Sequence, residues 1–454
     1  MTLYFCEAAW LGGDMAARDV LVAVEDARIT AVEAEARRPN TAVPLAGLTL
    51  PGFANTHSHA FHRLLRGRTE RSGSFWTWRD EMYALADALG PHSYGPLARA
   101  VYGEMALAGF TAVGEFHYLH HDSLGQPYVD PNAMGRALAA ASGDAGIRIT
   151  LLDACYLEAS PGRSVTGVQR RFNDGDAVSW VKRVEQLDDA LGGPTWAKVG
   201  AAVHSLRAVP PSAVEVVADW AARRGAPLHV HVSEQRAENE AVRAAYGATP
   251  CALLAQVGAL GPRTTVIHGT HLDPSDIESL GATDSRVCVC PTTERFLADG
   301  VGPAGALAAA GSHLCLGTDC HALIDPFEEM RGLELGERIT TGKRGRFQVG
   351  DLLEAATAQG HAALGWPDAG MLVPGAFADL VTVSLDSPRL AGAGLDHVLE
   401  RVVFSASAGD VCHVVASGRP IVHRGRHLLL GDLSAQLSIS AERILELGAG
   451  GAVP

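Results

Sequence analysis

SAVEVVADWAARRG, residues 212–225, runs straight into APLHVHVSE, residues 226–234. The apolar residues of the first segment recur at helical spacing, and Gly225 stops it, because glycine accepts the left-handed conformation that ends helices. The second segment is a short apolar run that reads as a buried strand and finishes on His231 and Glu234. A glycine-stopped helix feeding a buried strand is the signature of βα units and a parallel sheet. The same alternation holds on both sides. Upstream lie LTLPGFANTH (48–57), GFTAVGEF (109–116), IRITLLDACY (147–156) and AKVGAAVHS (197–205). Downstream lie TTVIHGTH (264–271), RVCVCP (286–291) and HLCLGTD (313–319). Between them stand stretches such as YGPLARAVYGEMALA (94–108) and GPAGALAAAG (302–311), again helical in spacing. Eight such units over about 320 residues predict an α/β fold, a (β/α)8 TIM-type barrel.

The two chain ends have another texture. VLVAVEDARITAVEAEA (20–36), GAFADLVTVSLD (375–386) and RVVFSASAGDVCHVVASGRPIVHRGR (401–426) are strand-rich and punctuated by Gly and Asp. They predict a small β-sandwich domain built from both ends, residues 1–49 with 369–454, around a barrel domain at 50–368. Composition narrows the function classes. The 454 residues carry 37 Lys+Arg against 51 Asp+Glu, a net charge of −14, which argues against a nucleic-acid or anionic-membrane partner. No apolar run reaches the roughly 18 residues of a membrane span. The eight cysteines include no CxxC pair, and Cys288 and Cys290 read as strand packing. Reduced thiols and an N-terminus, MTLYFCEAAWLGGDMAARD, without a basic start or signal-length apolar core point to a cytoplasmic protein.

Barrel active sites lie at the C-terminal ends of the strands. Ionisable residues end seven of the eight: His57 and His59; Glu115 and His117; Asp153; His204; His231 with Glu234; His268 with His271; and Asp319. The seventh strand ends in Cys290 and Pro291. In a strand, His57 and His59 point to one face, so both reach a single metal ion. His231 closes its strand; His229 shares its face but sits deeper and reads as structural. Glu234, in the following loop, is placed to move protons without being a ligand. Asp319 is placed both to ligate a metal and to accept a proton. Taken singly, a packed histidine or a helix-capping Asp explains each position. Together His57, His59, His231 and Asp319 suit zinc, and imidazole also serves iron and other divalent first-row metals.

HSH after the first strand, H-x-x-E at the fifth, a histidine at the sixth and T-D at the eighth resemble the amidohydrolase superfamily in its mononuclear deaminase branch. MLVPGAFADLVTVSLD (371–386) resembles the return of those enzymes to their β-sandwich. His204 stands where two-metal members carry a bridging lysine. NTHSHAFHR (55–63), SFWTWRDEMY (74–83), GEFHYLHH (114–121) and HSLRAV (204–209) are similar, more narrowly, to the formimidoylglutamate deiminases of histidine degradation. That resemblance implies one Zn2+ per subunit, a homodimer, and a small-molecule substrate, N-formimino-L-glutamate, contacted by Arg79, Tyr118, His204 and Arg207. His62 stands at a position where that family usually has Gln, although histidine also donates hydrogen bonds.

The substrate has two carboxylates and a cationic formamidine. Two arginines fork onto carboxylates as lysines cannot, and would let an acidic protein hold an anion locally. A surface salt bridge is the alternative reading for Arg79 and Arg207. The roles implied are Asp319 taking a proton from the attacking water, Glu234 serving the nitrogen that leaves, and His268 stabilising the tetrahedral species. The products would be N-formyl-L-glutamate and ammonia. Two other readings stand beside this one. One is a zinc deaminase of the same branch acting on a nitrogen heterocycle of the guanine, cytosine or adenosyl type, which would need stacking aromatics rather than an arginine pair. The other is a barrel that has lost catalysis.

Overall fold

The computed structural model describes residues 1–70, 73–192, 195–392 and 394–450. The helix–strand segment 212–234 folds as its sequence predicts. Its helix, Pro211–Arg224, buries Val214, Val217, Trp220 and Ala221, and Gly225 caps it at φ +63°. The barrel strands, in chain order, are β1 (Phe53–Ser58), β2 (Phe110–His117), β3 (Arg148–Cys155), β4 (Ala197–Ser205), β5 (Leu228–Val232), β6 (Thr264–His268), β7 (Arg286–Val289) and β8 (His313–Leu316). Each pairs in parallel with the next. Between β8 and β1 the described residues show one isolated parallel bridge, Ser58 to Asp319. Register brings the ionisable strand ends to a common level: Ser58 faces Glu115, His117 faces Asp153, Ser205 faces His231, and Val232 faces His268.

The chain ends combine in one continuous sheet. Its strands run in the order 426–427, 419–423, 411–416, 380–383, 43–51, 2–10, 16–25 and 28–33. One face buries Tyr4, Val20, Leu45, Leu380 and Val415 in a cluster of its own. The other, with Leu48, Leu50, Val381 and Val414, is continuous with the core of the barrel and its helices. Between sheet and barrel, Arg148 of β3 forms a buried ion pair with Asp379 and donates to Ser417 Oγ at 2.8 Å.

Three elements differ from the sequence reading. LTLPGFANTH is not one strand: residues 43–51 belong to the second sheet, and β1 starts after Gly52. Residues 401–405 lie in a helix, Val398–Ser405, whose buried Val398, Leu399, Val402 and Val403 follow helical spacing. The β-branched content suggested a strand, but one buried face at i, i+4 selects the helix. The third, Leu433–Gly450, is a helix that packs against Pro91–Leu107, within the stretch 369–454 assigned to the β-sandwich domain. Among the described residues the cysteines are free, and all but Cys412 are buried. No helix there is long and apolar enough to cross a membrane.

Candidate metal centre and substrate cavity

His57 and His59 of β1, His231 of β5 and Asp319 after β8 converge at the mouth of the barrel. His57 Nε2 lies 3.0 Å from His231 Nε2 and 3.3 Å from Asp319 Oδ1. His59 Nε2 lies 3.5 Å from the same oxygen. Four tetrahedral ligands at about 2.0–2.1 Å from a common centre stand about 3.4 Å apart, so these separations fit one metal ion. Hydrogen bonding fits too. His59 Nδ1 donates to Phe116 O at 2.9 Å and His231 Nδ1 to His204 O at 2.8 Å, which leaves both Nε2 lone pairs facing Asp319 and His57. His59 Nε2 thus sets a lone pair against the Asp319 carboxylate, an arrangement that a buried cation relieves. Burial lowers the three histidines, which favours the neutral imidazole a metal needs.

Glu234, His268 and Asp319 surround the same point. His268 Nε2 lies 3.8 Å from both Glu234 Oε1 and Asp319 Oδ2, and its Nδ1 lies 3.4 Å from Glu294 Oε1. Burial opposes charge on His268, but Glu234, Glu294 and Asp319 outweigh it and lift the ring to about 10. Burial pushes Glu234 up to about 7, with His268 pulling down and Asp319 pushing further up. Burial would also raise Asp319, yet the hydrogen bond and charge of His57, with His268 and His59, hold it well below the usual range. Two carboxyls driven apart by their surroundings are the pattern of a proton donor beside a proton acceptor. His268 and Asp319 also take left-handed backbone at φ +69° and +39°, a strain that clusters at functional sites.

A cavity of about 810 Å3, including its open mouth, leads to this point. Every sequence-predicted substrate residue lines it: His62, Arg79, Tyr118, His204 and Arg207. Tyr118 Oη and His62 Nε2 are 2.9 Å apart. The His204 ring packs on Tyr156 at 4.6 Å between centroids. Arg79 lies over Trp76 at 4.5 Å, and Arg207 donates to Ala159 O at 3.1 Å. Among the described residues neither arginine has a carboxylate within 4.0 Å, so the surface salt-bridge alternative finds no partner.

Sequence reading missed several cavity residues: Phe75, Trp78, Tyr156, Phe172, Gln235 and Glu238. Tyr156 ends the third apolar run and Glu238 follows Glu234 by one helical turn, so both left a trace; Phe172, at the end of the short 3-10 helix Gly167–Phe172, left none. Other strand-end residues stay outside the cavity. His229 bonds Ala363 O at 3.0 Å, deep in the barrel. Asp153, His117 and His120 form a second cluster of ligand-type atoms. There Arg183 holds Asp153 at 2.7 and 2.8 Å and His120 Nε2 donates to Ala154 O, so a guanidinium already supplies the cation.

Comparison with known proteins agrees with this geometry. Residues 48–421 match the amidohydrolase family model. The formimidoylglutamate deiminase of Pseudomonas aeruginosa is 37% identical over 397 residues, 84% of this chain and 86% of that one. A 5-methylthioadenosine/S-adenosylhomocysteine deaminase of Pelotomaculum thermopropionicum is 30% identical over 91% of this chain and 89% of its own. The crystal structure of an amidohydrolase from Brucella melitensis superposes with a TM-score of 0.91 at 32% identity, covering 98% of this chain and 100% of that one. The chain belongs to the amidohydrolase family and is a hydrolase acting on C–N bonds.

Proposed function

We propose that this enzyme hydrolyses N-formimino-L-glutamate to N-formyl-L-glutamate and ammonia, a step of histidine degradation, with one zinc ion per subunit. The observation that carries this reading is the pair Arg79 and Arg207, both without a carboxylate partner among the described residues, in a cavity that ends at Glu234 and the ligand cluster. Each guanidinium forks onto one substrate carboxylate, which fixes the molecule at both ends. Tyr118, His204 and His62 supply the remaining polar contacts. The zinc ion, held by His57, His59, His231 and Asp319, would supply Lewis acidity and lower the pKa of water toward neutrality.

The chain's own groups then move the protons. Asp319 stays ionised and accepts a proton from the attacking water. The water oxygen bonds to the formimino carbon while Glu234 protonates the imino nitrogen. His268, charged and held by Glu294, hydrogen-bonds the developing oxyanion. Glu234, now ionised, takes the remaining proton of the tetrahedral hydroxyl and delivers it to the same nitrogen. The C–N bond breaks, ammonia leaves, and the formyl C=O remains on the product. The same reading takes the enzyme as a cytoplasmic homodimer with a barrel domain at 50–368 and a β-domain at 1–49 and 369–454.

A second reading, a deaminase of adenosine type, draws on the aromatic lining of Trp76, Trp78, Tyr156 and Phe172, which could stack a purine. Ammonia release from N-formimino-L-glutamate, guanine, cytosine and S-adenosylhomocysteine by the zinc-loaded enzyme separates the two. Chelator-sensitive release from the formimino compound alone supports the first. Release from a heterocycle alone overturns it.

A further inference from the structure

The barrel is a strip of eight strands whose outer edges, β1 and β8, meet through one backbone bridge, Ser58 to Asp319. The candidate metal ligands straddle that seam, with His57 and His59 on one side and Asp319 on the other. Backbone and side chains share the joint: Asp319 N donates to His57 O at 3.0 Å and His59 N to Asp319 O at 3.4 Å, and side chains add to them. Asn55 Nδ2 donates to Thr318 Oγ1 at 2.7 Å, and Asn55 Oδ1 accepts from Thr318 N at 2.9 Å. Thr318 Oγ1 lies 2.8 Å from His321 Nδ1, and His321 Nε2 lies 3.1 Å from Ser58 Oγ. Ser58 Oγ donates to Glu115 Oε2 at 2.7 Å. All five residues are fully buried.

The direction of this chain is determined. Ser58 Oγ gives its single proton to Glu115 and so accepts from His321 Nε2–H, which leaves Nδ1 of the neutral ring to accept from Thr318 Oγ1. Glu115 Oε1 also accepts from Ala60 N at 2.7 Å and from Tyr94 Oη at 3.1 Å. Donors at both oxygens need a carboxylate; an amide would set one N–H against another. Outside the chain, Arg66 Nε and Nη2 donate to His321 O at 3.0 and 2.8 Å, and Arg66 and Arg63 clamp Glu104 at 3.0 and 2.8 Å. Ser58 lies between two ligands and Thr318 precedes the third, so a turn of either residue moves a ligand atom.

We infer that the buried chain Asn55–Thr318–His321–Ser58–Glu115 is the positioning device of the metal centre: it sets Asp319 against the His57–His59 pair across the seam and thereby fixes the affinity for the divalent ion. This rests on the metal-centre reading above and adds residues that do not themselves touch metal or substrate.

The test is the zinc dissociation constant, by competition with a chromophoric chelator, for the wild type, Ser58→Ala, Ser58→Thr, Glu115→Gln and the Ser58→Ala/Glu115→Gln double variant. Unfolding midpoints are measured with and without zinc. Ser58→Ala and Glu115→Gln are expected to weaken zinc about 10–100-fold, the usual effect of removing an outer hydrogen-bond partner. The rise in midpoint on zinc loading shrinks accordingly. Ser58→Thr restores the hydroxyl and most of the affinity. The double variant binds no more weakly than the worse single one, since both break one chain. Unchanged affinity in Ser58→Ala, which loses one oxygen and folds whatever Glu115→Gln does, overturns the inference. So do midpoints that fall equally with and without zinc. A wild type that binds no divalent ion at one equivalent overturns the metal-centre reading itself, a result distinct from the others.

Discussion

At the scale of single residues, the site separates holding from reacting. Glu234 touches no ligand atom as a ligand, yet burial places its carboxyl at about 7, where it gives and takes protons with equal ease. Glu234→Gln is therefore expected to keep one equivalent of metal and lose about 10²–10⁴-fold in kcat. Metal analysis together with steady-state rates checks this; turnover at the wild-type rate would remove the proton-shuttle role. Arg207→Ala is expected to raise KM for a dicarboxylate about 10–100-fold, the worth of a charged hydrogen bond, with Arg207→Lys recovering part of it. What the sequence made legible at this scale was local. His57 and His59 stand two apart in a strand, and His231 and Glu234 sit within one turn, so spacing alone put each pair on one side. Ser58, lying between two ligands, was quoted but given no role, and Glu115 and His321 were not linked to it. Their meaning lies in contacts across 57 and 263 residues of chain, which no spacing rule reaches.

Whole elements were legible where one buried strand sufficed. All eight barrel runs hold a barrel strand, the first only in its second half, because a continuous apolar segment between helices has few other uses in an α/β protein. Elements failed where pattern and composition conflict. Residues 401–405 are rich in β-branched residues, yet their buried positions follow the helix, and the packing face decided. The left-handed residues that end strands, Ser233, His268 and Asp319, carried no signal either, since none is glycine or asparagine. Gly317 shows the opposite case. A Cβ there would lie 2.7 Å from His57 Cβ and 2.9 Å from His57 N, so only glycine lets the end of β8 approach β1. Gly317→Ala is expected to cost about 1–3 kcal/mol, as overpacking does, and to lower bound metal below one equivalent by pushing His57 and Asp319 apart. Thermal unfolding and metal content read the two effects separately.

Over the whole molecule, buried ion pairs tie the layers together. Arg148 and Asp379 join barrel and second sheet with both side chains buried. Asp379→Asn leaves a buried guanidinium unpaired and is expected to cost about 3–5 kcal/mol, seen as a lower denaturant midpoint. Arg183 with Asp153 and Asp174 gives a pH signature. Burial alone would raise both carboxyls, but the guanidinium holds them below the usual range. Their folded-state pKa values thus lie below the unfolded value of about 3.9. The stability they contribute is complete above that value and is lost as pH falls through it toward the folded values. Denaturant midpoints between pH 6 and pH 3 should fall in the wild type and fall less in Asp174→Asn. The second sheet has a further consequence, in time rather than space. Leu48–Pro51 hydrogen-bond to Leu380–Val383, a partner the ribosome adds more than three hundred residues later. At about 5–20 residues per second that wait is on the order of tens of seconds. Through all of it the strand 43–51 offers an open edge, so the nascent chain must shelter that edge, or a chaperone must, until synthesis is nearly done.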